Sequence, residues 1–301
     1  METETMAYPD NVPEWQIKKE ICEIGQRIWM KGFCAGNEGN HSVRVGEDRV
    51  LCTPTGISKG FLTPDDVCVC DMDGTQIEPN AKGRKRTSEV LVHLSIYKKR
   101  DNIKAVVHSH PPHATAFAIA QIPLPEGIHP EAEVFLGRVA TAPYATPSTQ
   151  ALPDSITPLI GPETNTVLMG NHGTVSFSHS LIDAFYKLEI LDAYSRILLL
   201  CHQLGRANVL DPRQMTELLE VKKKFGFDDD RLDCSPEGCV GPEQNAAYLS
   251  SFDVRPMTAS CECDGGATTT SAQTAAKQGI GHADFETLVQ TITDQIIAAM
   301  K

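Results

Sequence analysis

The stretch AVVHSHPPH (residues 105–113) and its later counterpart TVLMGNHG (166–173) carry the reading of this chain. Ala105–Val107 is a short apolar run bounded by turn signals, which reads as a buried strand. Alternate residues of an extended chain share a face, so this strand delivers His108 and His110 to one side. Pro111 and Pro112 then stop the strand and expose the pair in a turn. Thr166–Met169 is a second apolar strand, expected in a parallel context, that runs into Asn171, His172 and Gly173. Gly173 adds no side chain to crowd an ion beside His172. Three imidazoles from two strand ends make a nitrogen face that suits a borderline-soft divalent ion such as zinc. Glu89, placed in the first turn of a helix opened by Thr87-Ser88, can complete a tetrahedron. A set that loosens one ligand during reaction leaves room for substrate, as catalytic zinc requires.

Helices and strands surround these two segments. A first helix is expected from Val12 to Met30, with Asn11 as cap, Pro13 in the first turn and Ile17, Ile21, Ile24 and Ile28 at helical spacing. A glycine-rich loop follows at Gly36–Asn40. Val43–Val45 and Arg49–Thr53 alternate around Gly46-Glu47-Asp48 as a hairpin does, and Val67–Cys70 is a further strand. Helices are expected from Ser88 to Arg100 and from Ser180 to Leu204, and Asp211-Pro212 caps a final core helix. Strands packed between helices make an α/β layered domain.

A second constellation favours anions. Asn40, the pair Thr55-Gly56 and the pair Thr87-Ser88 each end or begin an element, with small polar side chains and free backbone N–H groups. Ser88 lies at a helix start, where those groups and the helix dipole favour phosphate. Each alone is an ordinary turn or cap. Three together, one abutting Glu89, describe a phosphate pocket beside a metal. His93 and His113 read as packing or supporting histidines, and His41, His179, His202 and His282 as structural.

Composition removes whole classes of function. The 301 residues carry 27 basic and 39 acidic side chains, a net charge of −12, which argues against nucleic acid or an anionic membrane as main partner. No apolar run approaches the roughly 20 residues of a membrane span, and the N-terminus lacks a secretory pattern. The expected location is the cytoplasm, where ten irregularly spaced cysteines read as reduced thiols. The expected organisation is a catalytic domain over residues 1–226, a flexible linker over 227–283 and an amphipathic helix over 284–301. Small and polar residues dominate the linker. Its Cys234, Cys239, Cys261 and Cys263 do not match common zinc-knuckle spacings. In the last segment Phe285, Leu288, Val289, Ile292, Ile296, Ile297 and Met300 define one apolar face.

GNEGNHSVR, LCTPTGISKG, RTSEVLVHLSIYKKR, AVVHSHPPHATA, APYATPST and NHGTVSF occur in this order between about Val12 and Phe225. As an ordered set they resemble the class II aldolase/adducin-head family, most closely its zinc-dependent L-fuculose-1-phosphate aldolases. The resemblance implies a three-layer α/β/α fold with a central, mainly antiparallel sheet, assembled as a homotetramer. It implies one Zn2+ per subunit on Glu89, His108, His110 and His172, and substrate phosphate on Asn40, Thr55, Gly56, Thr87 and Ser88. The implied reaction is retro-aldol cleavage of L-fuculose 1-phosphate or L-rhamnulose 1-phosphate to dihydroxyacetone phosphate and L-lactaldehyde, with Glu89 as the carboxylate that moves the proton. The family's proton-donating tyrosine has no counterpart in LPEGIHPEAEVFLG, which leaves His129 or Tyr144 as substitutes. Rival members are a ribulose-5-phosphate 4-epimerase, in which aspartate usually replaces the glutamate, a sugar-phosphate dehydratase, and adducin-like interaction modules that lack the metal. The final segment resembles encapsulation peptides, implying a microcompartment shell protein as partner and the lumen of a bacterial microcompartment as location.

Overall fold

Residues 12–232 and 245–250 are described by the computed structural model. Ile17, Ile21, Ile24 and Ile28 form the buried stripe of α1 (Glu14–Met30), with Pro13 at its N-cap. Each such side chain removed from water contributes about 1.5–3 kcal/mol. The expected hairpin is β1 (Asn40–Gly46) against β2 (Arg49–Cys52), with Val43 opposite Leu51. Then come β3 (Cys68–Cys70), α2 (Val90–Lys99), β4 (Ala105–Ser109), α3 (Pro112–Ala120), α4 (Pro130–Phe135), β5 (Ala140–Ala142) and α5 (Ala151–Ile156). The chain continues through β6 (Thr166–Met169), β7 (Gly173–Ser178), α6 (Leu181–Leu204), α7 (Pro212–Lys224) and α8 (Ala246–Ser250).

The seven strands form one sheet in the order β3-β2-β1-β4-β7-β6-β5, antiparallel throughout except for β5 beside β6. Alternation along β4 divides the core between the two faces. Val106 packs with Val50, Phe177, Ile96 and Tyr97 on the α2 side, whereas Ala105 and Val107 join Ile21, Phe185 and Leu188 under α1 and α6. A third cluster gathers Leu168, Phe117 and Leu198 where α3 and α6 meet β6. The result is a three-layer α/β/α fold around a mainly antiparallel sheet.

The two strands that lead into the histidines, β4 and β6, run in the same direction with β7 antiparallel between them, and two other expectations need correction. His172 sits in the tight turn joining β6 to β7, with Asn171 at φ 54°, and β7 pairs antiparallel with β4. Strand β7 went unread although Thr174, Ser176 and Ser178 alternate with Val175 and Phe177; all six of its residues are buried. Helix α2 begins at Val90, which puts Glu89 at the N-cap and outside the first turn. Its carboxylate does not cap the helix; it turns toward the histidines. Finally, two stretches of the expected 227–283 linker are packed. Asp229, Arg231, Asn245 and Tyr248 are buried, and Arg231 is ion-paired to Asp229, Glu126 and Glu133. Composition concealed this because the packing there is ionic. Cys234, Cys239, Cys261, Cys263, His282 and the 284–301 segment lie outside the described residues.

Candidate active site

Strand register builds the site. Asn40 of β1 stands opposite His108 of β4, which stands opposite Val175 of β7, so the three share the face covered by α2. Glu89 enters from the start of α2, His110 from just beyond β4, and His172 from the β6–β7 turn. Nε2 of His108 lies 3.3 Å from Oε2 of Glu89, and Nε2 of His172 lies 3.5 Å from its Oε1. Nε2 of His110 is 3.3 Å from Nε2 of His108. One nitrogen from each of the three imidazoles falls within 4.8 Å of the others.

Nearby groups fix how these rings face. The Nδ1–H of His108 donates to the Thr174 carbonyl at 2.8 Å, which directs Nε2 at the cluster. Burial pushes the pKa of His110 down to about 3 and of His172 to about 4, with the neighbouring imidazoles adding to the shift. Burial alone would raise that of Glu89, but the His108 hydrogen bond and charge, the His172 charge and the Asn40 amide hold it well below the usual carboxylate range. The outcome is a carboxylate and several lone pairs facing one another in a half-buried space. A proton between His108 and Glu89 satisfies one contact only. A divalent cation would satisfy the three nitrogens and the carboxylate together, so this donor set fits a catalytic metal.

Beside the cluster lies a cavity of about 260 Å³ lined by Asn40, Thr55, Gly56, Thr87, Ser88 and Glu89, together with His110 and His172. The side-chain N–H of Asn40 donates to Oε2 of Glu89 at 2.9 Å, so at least one of its donors faces the carboxylate. Sequence reasoning missed Lys59, which also lines this cavity. Its stem is buried, and its Nζ donates to the carbonyls of Ile57 at 2.7 Å and Asn37 at 2.9 Å, tying together two of the anion-favouring loops. Burial lowers its pKa to about 8, against the opposing influence of Cys34, Glu38 and Glu89. The signal was a lone cation, given no role, in the motif LCTPTGISKG. Glu38 was missed too; its Oε1 is 3.8 Å from Nδ1 of His110.

The other histidines have structural partners. His41 is buried and donates from Nε2 to the Ile21 carbonyl at 2.7 Å. His113 donates from Nδ1 to Asp192 at 2.9 Å, and Asp192 also accepts the backbone N–H groups of His113 and Ala114 at the start of α3. The two substitute proton donors stand apart from the cluster within one chain. His129 caps α4, its Nδ1 accepting from the Ala132 N–H at 3.4 Å, and stacks on Tyr194. Tyr144 is 60% exposed, and neither residue lines the cavity. A second cavity, of about 290 Å³, lies near Arg138 and Lys222, where Lys222 and Arg231 are both paired with Asp229. Among the described residues no helix is long and apolar enough to cross a membrane.

Residues 19–199 match the family of class II aldolase and adducin N-terminal domains. An L-fuculose phosphate aldolase of Methanococcus maripaludis is 33% identical over 178 residues, covering 59% of this chain and 93% of the relative. A 5-deoxy-D-ribulose 1-phosphate aldolase of Bacillus thuringiensis is 30% identical over 212 residues, 69% of this chain and 96% of the relative. A 3-oxo-tetronate 4-phosphate decarboxylase of Haemophilus influenzae is 31% identical over 186 residues, 60% of this chain and 85% of the relative. Among solved structures, an L-fuculose 1-phosphate aldolase superimposes with a TM-score of 0.63 at 29% identity, over 70% of this chain and 97% of that one.

Proposed function

We propose that this chain, which belongs to the class II aldolase and adducin N-terminal domain family, is a lyase that cleaves a deoxy-ketose 1-phosphate to dihydroxyacetone phosphate and a short aldehyde. L-Fuculose 1-phosphate and L-rhamnulose 1-phosphate are the proposed substrates, with L-lactaldehyde as second product. The observation that carries this reading is the convergence of His108, His110, His172 and Glu89 on one edge of a cavity whose other wall is Thr55, Gly56, Thr87 and Ser88. An adducin-like module without chemistry has no use for such a donor set.

Breaking the carbon–carbon bond leaves an electron pair on the carbon next to a ketone. A divalent ion, proposed to be zinc, would polarise that ketone as a Lewis acid when held by the three histidines. The chain's own residues do the rest. Asn40, the Thr55-Gly56 turn and Thr87-Ser88 are proposed to hold the phosphate, so that binding energy far from the reacting carbon orients it. Glu89 is held ionised beside the histidines and is the group placed to take and return a proton. The proton donor on the aldehyde side would come from another subunit of a homotetramer, or from His129 or Tyr144 delivered across such an interface. A related reading, decarboxylation of a 3-oxo acid phosphate, needs the same electron-pair stabilisation and is supported by the Haemophilus relative.

The 284–301 segment is proposed to be an encapsulation peptide that binds a microcompartment shell protein. Its support is the apolar stripe from Phe285 to Met300 after a long polar stretch.

The test is triose-phosphate release from L-fuculose 1-phosphate, L-rhamnulose 1-phosphate and 5-deoxy-D-ribulose 1-phosphate, with carbon dioxide release from 3-oxo-tetronate 4-phosphate alongside. Zinc-loaded and chelated protein are compared. Metal-dependent triose-phosphate release supports the aldolase and ranks its substrates. Carbon dioxide alone would replace it with the decarboxylase, and silence in zinc-loaded protein would sink both.

A further inference from the structure

Behind Glu89 the α2 side of the sheet holds a continuous line of polar side chains that the proposed chemistry does not use. Asn40 donates from its amide nitrogen to Glu89 at 2.9 Å, and its amide oxygen lies 2.6 Å from Nε2 of His93. Nδ1 of His93 lies 2.7 Å from the Ser42 hydroxyl, which lies 2.7 Å from the Tyr97 hydroxyl. Tyr97 also reaches the Ser42 carbonyl at 3.0 Å. His93, Ser42 and Tyr97 are each 0% exposed, so water cannot repair a wrong choice of donor at any of these contacts.

The direction of the line follows from its ends. An ionised carboxylate only accepts, so Glu89 requires the amide nitrogen of Asn40 and turns the amide oxygen to His93. That oxygen requires a proton on Nε2 of His93. Burial keeps this ring neutral, with its pKa pushed down to about 3, so Nδ1 bears no proton and must accept the one on Ser42. Ser42 has then spent its only proton, and its oxygen accepts from Tyr97, whose single O–H is shared with the Ser42 carbonyl. Every donor points toward the metal-side carboxylate. The opposite sense is self-consistent from Tyr97 to Asn40, but it sets the amide oxygen against the Glu89 carboxylate.

We propose that His93 is a positioning residue, held as its Nε2–H tautomer by Ser42 and Tyr97, that prevents the Asn40 amide from flipping and so fixes the Glu89 carboxylate beside the three histidines. The inference rests on the reading of Glu89 as a metal-holding carboxylate. It explains a fully buried histidine that touches neither cavity nor cluster. It also divides the labour of Asn40, since one amide proton holds Glu89 and the second remains for the substrate.

The direct test reads the wild-type protein. In the full-length, chelated protein labelled with 15N in histidine, the two ring-nitrogen shifts of His93 identify its tautomer, with assignment by loss of the signals in His93→Gln. The Nε2–H form is expected at neutral pH, and the Nδ1–H form would overturn the proposal. The functional arm is a double-mutant cycle read by Co2+ affinity and visible absorption. Asn40→Ala and His93→Phe should each weaken Co2+ binding by about 10–100-fold, the range for lost ligand-orienting partners. Because His93 acts through Asn40, the double variant should be no weaker than Asn40→Ala alone, and His93→Gln, which retains an N–H donor, should recover most of the loss. Additive losses would make His93 a packing residue and refute the proposal. Neither arm uses turnover, so an inactive wild-type enzyme would reject the aldolase reading and leave this test intact.

Discussion

Gly173 and His110 share a space with no room for another carbon. A Cβ built on Gly173 would lie 2.4 Å from Cδ2 of His110 and 2.8 Å from the Ser109 carbonyl oxygen. Gly173→Ala must therefore push the His110 ring or the strand end aside. The expected outcome is metal affinity lower by about 10–100-fold, the scale of disrupted ligand orientation, with turnover falling in parallel. Zinc content after dialysis and kcat at saturating zinc check this, and unchanged values for both would mean that His110 has slack to move.

Lys59 brings a cation to the floor of the cavity and joins the 36–40 and 53–57 loops through the Asn37 and Ile57 carbonyls. Hydrogen bonds to charged groups contribute about 1.5–3 kcal/mol, so Lys59→Met should raise KM for a phosphorylated substrate by about 10-fold or more. Inhibition by inorganic phosphate should weaken to match, with kcat changed far less. Intact phosphate inhibition would remove Lys59 from the anion site.

Arg231 is buried and spans Asp229, Glu126 and Glu133 at 2.7–2.8 Å. Arg231→Met leaves Glu133, itself 2% exposed and with its pKa already raised by burial, without its counter-ion. Breaking a buried pair from one side costs about 3–5 kcal/mol, so a clear drop in Tm is expected, as for truncation after Gly226. A truncated protein as stable as the full chain would restore the boundary that composition suggests.

His41 and His93 are fully buried, with pKa values pushed by burial to about 4 and about 3. The unfolded chain protonates these rings below about pH 6.5, whereas the folded protein keeps them neutral. The stability they contribute is therefore complete above that pH and is lost as pH falls toward 4, at up to about 1.4 kcal/mol per pH unit for each ring. Calorimetry of the chelated protein from pH 7.5 to 4.5 should show Tm declining below 6.5. A flat profile would contradict the neutral state of both histidines.

Deleting residues 284–301 should leave kcat and KM unchanged and abolish association with microcompartment shells in a co-sedimentation assay. Lost catalysis would place the segment in the catalytic assembly instead.

Local signals in the sequence determined α1, α6 and the β1–β2 hairpin, because Ile17, Ile21, Ile24 and Ile28 or alternating strand residues show their buried face through spacing alone. His108, His110, His172 and Glu89 were legible for a similar reason: a strand end fixes which way a side chain leaves, and an ordered motif set supplied the rest. Tertiary structure alone decided what meets what. Strand β7 shows its alternation of Thr174, Ser176 and Ser178 with Val175 and Phe177, but alternation does not name a partner, so its antiparallel pairing with β4, which brings His172 of the β6–β7 turn beside His108, is decided by the fold. Arg231 reads as a solvated charge until Glu126 and Glu133 surround it. The line from Tyr97 to Glu89 joins one helix face, Glu89, His93 and Tyr97, to one strand face, Asn40 and Ser42; spacing shows each face alone, because the direction of a buried hydrogen bond depends on which donors the fold brings together.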